Sequence, residues 1–297
     1  MSNQRAAASA KAQRKIAEQR AAEQRRRQIM FGTIAIGVVV ALFAVLIIVK
    51  LAGGGAKHAT AAPTLNNTQL TAQVVKEATG VPASVLTSVG AGGVPVPTKA
   101  ITGATALTDN GKPEILYMGA EYCPYCAAER WGLVVALSRF GTFNGLALTA
   151  SDPNDVYPST NTFTFLKATY TSQYISFDSV ELQDGNHNPL QAPTTAQQQL
   201  LNTYDAPPYV DSSSAGAIPF VDLGNQFMIS GASYSPQVLA GQTWSTIASA
   251  LNNASSPVAQ GIEGTANQLT AAICKLTNNQ PASVCSTPLI SGLEGKL

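Results

Sequence analysis

Charged residues are few in this chain: 18 Lys/Arg and 17 Asp/Glu make up 12% of 297 residues, against roughly 25% in soluble domains. That scarcity excludes an ordinary cytosolic enzyme. Histidine is scarcer still, with two copies, His58 and His187. A histidine metal centre or a Ser-His-Asp triad would rest on His187 alone, and neither is expected. Cysteine occurs four times, too rarely for a small disulfide-built scaffold, so any pair is an addition to a hydrophobic core. No internal repeat is present. Gly90–Gly93 leads into loop and not into a helix, so no phosphate cradle is expected, and no cofactor.

What charge there is falls unevenly. Residues 1–28 hold eight Lys/Arg and two Glu, a formal +6, which leaves −5 for the remainder of a chain whose net charge is +1. Nucleic-acid binding is thereby excluded outside the basic stretch. Ile29 to Val49 then runs without a charge, a length of about 31 Å as a helix against a bilayer core of about 30 Å. No polar stripe interrupts it, as one would in a buried helix of a soluble domain. The basic flank before it (Arg20, Arg25, Arg26, Arg27) orients the helix with the N-terminus cytoplasmic. A cleaved signal peptide, cut near Ala59 or Ala61, is the alternative; the leader and the apolar run are both long for one, and an uncleaved anchor is expected.

The expected organisation is a basic cytoplasmic segment (1–28), a transmembrane helix (29–50), a flexible Gly/Ala/Thr/Pro linker (51–68) and an extracytoplasmic domain (69–297) with a C-terminal helical extension. Within the last, apolar spacing from Leu70 to Leu86 predicts a short amphipathic helix broken at Gly80-Val81-Pro82, and residues 90–99 read as loop. Asp109-Asn110-Gly111-Lys112 is a turn signal before a buried strand, Ile115–Met118. An apolar helical run, 127–140, follows the cysteine motif. Leu146–Thr149, Thr162–Leu166 and Tyr174–Glu181 are β-like. A polar insertion (183–217) contains a helix at Thr194–Tyr204. Ile218–Asp222 and Phe227–Ser230 form a strand pair, and helices are expected at Ser235–Ala240, Thr243–Asn252 and Pro257–Leu276. This order is an α/β plan with a mixed sheet.

All four cysteines follow the apolar segment, and their spacing pairs Cys123 with Cys126 and Cys274 with Cys285. In Cys123-Pro124-Tyr125-Cys126 the first cysteine stands at an N-cap and Pro124 at the first helical position, where its missing N–H needs no partner. Free backbone N–H groups and the helix dipole there favour a thiolate at Cys123. Cys126, one turn on, is placed to resolve a mixed disulfide. A buried structural disulfide and half of a metal site are the competing readings. The spacing does not make a zinc ribbon, and Ala127 in place of His disfavours haem attachment. Cys274 ends an apolar helix pattern, and Cys285 follows a polar loop. A staple for the C-terminal tail is expected there, a second exchanging pair being the alternative.

The motif Ala120-Glu121-Tyr122-Cys123-Pro124-Tyr125-Cys126 after an apolar strand, with Ile218-Pro219 before a later strand, resembles the thioredoxin superfamily. The resemblance implies a mixed sheet with flanking helices, a cis Pro219 packed against the motif, and a substrate groove touching Pro124, Tyr125 and Ile218. More closely, GAEYCPYCAAERW, ALSRFGTF and DVYPSTNTFTF resemble the membrane-anchored bacterial and archaeal proteins grouped as domain of unknown function 929. Two departures from thioredoxin matter. Tyr117 stands where thioredoxins carry a buried Asp that moves protons, and Tyr122 where they carry Trp. Glu121 and Glu129 are the available substitutes for the Asp, and both read as solvated or ion-paired carboxylates.

The expectation is a single-pass membrane protein presenting a thiol–disulfide oxidoreductase outside the cell. Cys123 attacks, Cys126 resolves and Pro219 shapes the groove. The expected partners are the lipid bilayer, cysteine-containing envelope or secreted proteins, and a redox partner. The alternatives are a non-catalytic thioredoxin-like binding module and a protein handling a soft metal such as copper.

Overall fold

Ile115, Leu116, Tyr117 and Met118 have no exposed surface, so the strand they form must be covered on both faces. The structure, a computed structural model, describes residues 67–94 and 98–297. The expected basic segment, the membrane helix and residues 51–66 of the expected linker lie outside the described residues.

In chain order the helices are α1 (Asn67–Thr79), α2 (Ala83–Val89), α3 (Pro124–Leu137), α4 (Thr195–Tyr204), α5 (Trp244–Ala250), α6 (Pro257–Leu276), α7 (Ala282–Cys285) and α8 (Pro288–Glu294), with a 3₁₀ turn at Pro236–Leu239. The strands are β1 (Lys99–Ala100), β2 (Thr108–Asp109), β3 (Lys112–Gly119), β4 (Gly141–Asn144), β5 (Ala147–Ala150), β6 (Asn161–Thr164), β7 (Thr169–Ser172), β8 (Ser176–Glu181), β9 (Phe220–Leu223) and β10 (Phe227–Ser230). Helix α1 begins inside the expected linker, and β1 inside the expected loop 90–99. No helix among the described residues is long and apolar enough to cross a membrane.

The main sheet is mixed. β3 pairs β8 in parallel and β9 antiparallel; β9 continues antiparallel to β10, and β10 to β1. Side chains alternate along β3 with period two. Ile115 and Tyr117 join the larger core, with α3, α5 and α6, whereas Leu116 and Met118 join a smaller one. The smaller core is closed by Leu201 of α4 and by Val210. The polar insertion is therefore the cover for the second sheet face. Its helix starts at Thr194 because Thr194 and Gln197 form a reciprocal capping box.

One expected strand is relocated, and one ribbon is new. The strand expected at Leu146–Thr149 exists as β5 but pairs only with β6, in a separate two-stranded ribbon. β8 takes the parallel place beside β3 instead. The second ribbon, β4 with β7, had no sequence expectation. Its Phe143 and Tyr170 pack with Phe165 and Phe177 in an aromatic cluster that reaches Tyr117, so aromatic packing and not alternation fixes these strands. The C-terminal extension folds as α6 to α8, with Cys274 and Cys285 joined by a disulfide whose Cα atoms are 5.5 Å apart.

Candidate functional site

Cys123 caps α3. Its backbone is extended, and its sulfur accepts the Cys126 N–H at 3.2 Å. Pro124 follows at the start of the helix, buried, as the N-terminal pattern requires. Both cysteines are unbonded thiols, Cys123 6% and Cys126 0% exposed. A hydrogen bond from the Cys126 thiol is the main cause that holds Cys123 below the ordinary thiol range; burial opposes it, and the Cys126 backbone N–H and Arg130 reinforce it. Burial, with the adjacent Cys123, pushes Cys126 well above that range. The two sulfurs are thus differentiated: one favours the thiolate at lower pH, the other holds its proton.

Across from Cys123 lies the Ile218–Pro219 bond, which is cis. The Cys123 thiol is 3.8 Å from the Ile218 carbonyl oxygen, in position to donate to it. Pro219 is buried and Ile218 half-buried. Tyr125 stands out from the surface at 41% exposure, its ring edge-on to Tyr157 with centroids 5.9 Å apart. Cys123, Pro124, Tyr125 and Cys126 at the start of α3 therefore lie beside Ile218 and Pro219, with Tyr125 the exposed member of the group. Cys274 and Cys285 belong to the C-terminal helices.

Two loops close on this surface from β5–β6 and from the insertion. Asp152 N–H donates to the Tyr122 carbonyl at 2.9 Å, and the same loop carries Tyr157, whose ring meets Tyr125. From the insertion, His187 stacks on Tyr122 and its Nε2 lies 2.9 Å from Asp152 Oδ2. His187 was read from sequence only as an isolated histidine. Its place at the site depends on a turn in which Asp184 receives the Asn186 and Asn188 N–H groups.

Behind the cysteines the helix carries two charges with no solvent exposure, Glu129 and Arg130. Glu129 has no solvent exposure and no ion-pair partner among the described residues, contrary to the sequence expectation. It accepts the Ser233 N–H at 2.8 Å and the Ser233 hydroxyl at 3.2 Å, and burial pushes its pKa to about 7. Arg130 makes the ion pair instead. Its Nε and Nη2 donate to the two Glu181 oxygens at 2.9 and 2.7 Å, and Nη2 also donates to the Ala120 carbonyl at 2.6 Å. The guanidinium lies 5.7 Å from the Tyr117 ring centroid. A charged pair inside an almost wholly apolar helix was the available signal, since a buried charge demands a partner. Glu181, on β8, could not be paired with it by spacing. Glu121, half-buried, receives the Thr149 hydroxyl at 3.5 Å.

No group of three or more His, Cys, Asp or Glu that could hold a metal occurs among the described residues. A family model described as Domain of unknown function (DUF929) matches residues 100–275, a span that encloses every site residue named above and stops short of Cys285. No curated protein and no solved structure matches the chain.

Proposed function

For this chain, which belongs to the Domain of unknown function (DUF929) family, we propose thiol–disulfide exchange on protein cysteines, carried by Cys123 and Cys126. The observation that carries the reading is the pairing of an N-cap thiol held low with a buried thiol held high, one turn apart. In the reducing direction the Cys123 thiolate attacks a client disulfide. One client sulfur leaves as thiolate, and a Cys123–client disulfide forms. Cys126 then loses its proton and attacks Cys123 Sγ, releasing the second client sulfur and closing Cys123–Cys126. Two electrons pass to the client, and the reverse sequence oxidises it. Ile218 and Pro219, beside Cys123, with Pro124 and the exposed Tyr125, would form the surface on which the client chain lies.

The arrangement supports a thioredoxin-like reading of the fold: β3 leads into the CxxC helix, β8 runs parallel beside it, and Ile218-Pro219 opens the antiparallel pair β9–β10. The charge-free run from Ile29 to Val49 behind a basic flank supports membrane anchoring with this domain outside the cell.

The test uses full-length protein and a disulfide-bonded client peptide. Cys123→Ser should abolish exchange, and Cys126→Ser should accumulate the mixed disulfide. Full activity in both variants would overturn the assignment. So would a wild-type pair that stays oxidised at potentials below about −300 mV, the behaviour of a permanent staple.

A further inference from the structure

The most unusual chemistry outside the two cysteines is directly behind them. Arg130 follows Cys126 by four residues on α3, which puts the two on one helix face with Cβ atoms about 5–6 Å apart. Its Nη2 and the Cys123 N–H converge on one acceptor, the Ala120 carbonyl, at 2.6 and 3.3 Å. Glu181 binds the side of the guanidinium formed by Nε and Nη2. Nη1 is buried and has no hydrogen-bond partner among the described residues, and the same holds for the Tyr117 hydroxyl.

We propose that Arg130, held by Glu181, is a positioning residue that places a fixed positive charge behind the CxxC, stabilises the reduced pair as its Cys123 thiolate, and so makes the disulfide form the stronger oxidant. This rests on the exchange reading above and gives it a direction. A client dithiol is oxidised to a disulfide while Cys123–Cys126 is reduced, two electrons and two protons leaving the client. The proton not kept at Cys123 goes to solvent. A disulfide such as oxidised glutathione returns the pair to its starting state by the same exchange.

The charged and titratable groups around the sulfurs are Arg130 from their own helix, Tyr117 from β3, Glu181 from β8 and Tyr122 before the motif. Burial holds Tyr117 neutral well above its usual range. Arg130 opposes the upward push on Cys126 and contributes to the downward pull on Cys123. The pair is thus oriented, with its cationic end acting on the thiols. At a site with no solvent exposure such a charge acts with less screening than on the surface.

The experiment titrates the thiolate absorbance of full-length protein in detergent micelles and measures the equilibrium of the pair with glutathione. Arg130→Met should raise the Cys123 titration midpoint and shift the glutathione equilibrium about tenfold toward the protein disulfide, which is about 30 mV. Glu181→Gln, which leaves the cation unneutralised, should move both quantities the opposite way. Arg130→Lys should retain most of the wild-type behaviour. Should Arg130→Met fail to fold, the double replacement Arg130→Met with Glu181→Met removes both buried charges and is expected to fold. It should still raise the Cys123 midpoint above that of the wild type, by less than loss of the cation alone because the opposing carboxylate is gone too. Shifts of the same sign from the arginine and glutamate variants, or a double variant that titrates like wild type, would overturn the proposal. A wild type with no glutathione exchange would overturn the exchange reading, while the thiolate titrations of wild type and variants still decide the role of Arg130; an ordinary thiolate titration in the wild type would overturn that role.

Discussion

The imidazole of His187 lies on the ring of Tyr122, with centroids 4.0 Å apart and planes 27° from parallel. Tyr122 immediately precedes Cys123, and His187 comes from the insertion that also seals the far face of the sheet. One excursion of the chain therefore covers a core and reaches the candidate site. His187→Ala should loosen this end of the insertion. An aromatic stack contributes about 1 kcal/mol, so alkylation of Cys123 by iodoacetamide at neutral pH should quicken about fivefold. An unchanged rate would show that the stack does not restrict access to the sulfur.

Glu129 makes stability depend on pH. Its folded-state pKa is about 7, raised from 4.5 by burial. A raised acid stabilises the fold fully below its unfolded pKa and loses that contribution as pH rises through the folded value. Stability should therefore fall between pH 5 and pH 8 by a Glu129 contribution on the order of 3 kcal/mol. Asp222, which burial pushes to about 7, and Glu263, pushed to about 8, act in the same direction. Glu129→Gln keeps an acceptor for Ser233 and should flatten the profile. Urea unfolding at the two pH values provides the measurement, and equal slopes in variant and wild type would refute the assignment.

Gly132 of α3 packs directly against α6. A Cβ there would stand 2.6 Å from Thr265 Cγ2 and 3.0 Å from its Cβ. Thr265 is buried, and its hydroxyl donates to the Gly261 carbonyl at 2.9 Å, so the methyl has no room to turn away. Gly132→Ala should destabilise by about 1–3 kcal/mol through overpacking. Thr265→Ser, which deletes the methyl and keeps the hydroxyl, should recover part of that loss. A double-mutant cycle with no coupling would contradict the contact.

The Cys274–Cys285 bond spans a separation of 11 residues and ties α7 to α6. Replacing both cysteines by alanine should lower stability by about 3 kcal/mol, the value for a loop this short. Exchange through Cys123 and Cys126 should be unaffected, since neither replaced residue lies at the site. Loss of exchange in a variant that remains folded would instead place this pair on the electron path.

Much of the outline was legible in local sequence. Asp109-Asn110-Gly111-Lys112 turns between β2 and β3 because Asn110 and Gly111 both take positive φ. Thr194 starts α4 through its own side chain, and Pro124 and Pro257 open helices where proline is tolerated. The ribbon β4–β7 was not legible, because four-residue strands held by aromatic contacts have no periodic signature; β5 and β6 were expected as strands, but their pairing with each other apart from the main sheet was not. Glu129 was misread for a related reason: a carboxylate looks solvated in sequence unless its backbone donor, here Ser233, is known.

The sequence by itself determined the chemistry available. It set two thiols one turn apart at a helix start, a proline-led strand pair, a second distant cysteine pair and one long charge-free run behind a basic flank. Helix starts, turns and cysteine spacings depend on residues near one another in the chain, so they survive reading in one dimension. Tertiary structure alone decided what surrounds those thiols. The parallel register of β8 on β3 sets Glu181 against Gly119 and turns its carboxylate toward Arg130, 51 residues away in the chain. The insertion brings His187 onto Tyr122, and Ser233 finds Glu129 across 104 residues. Each of these contacts joins groups whose burial is tolerable only once the partner has arrived, and that condition is met by the fold and by no local pattern.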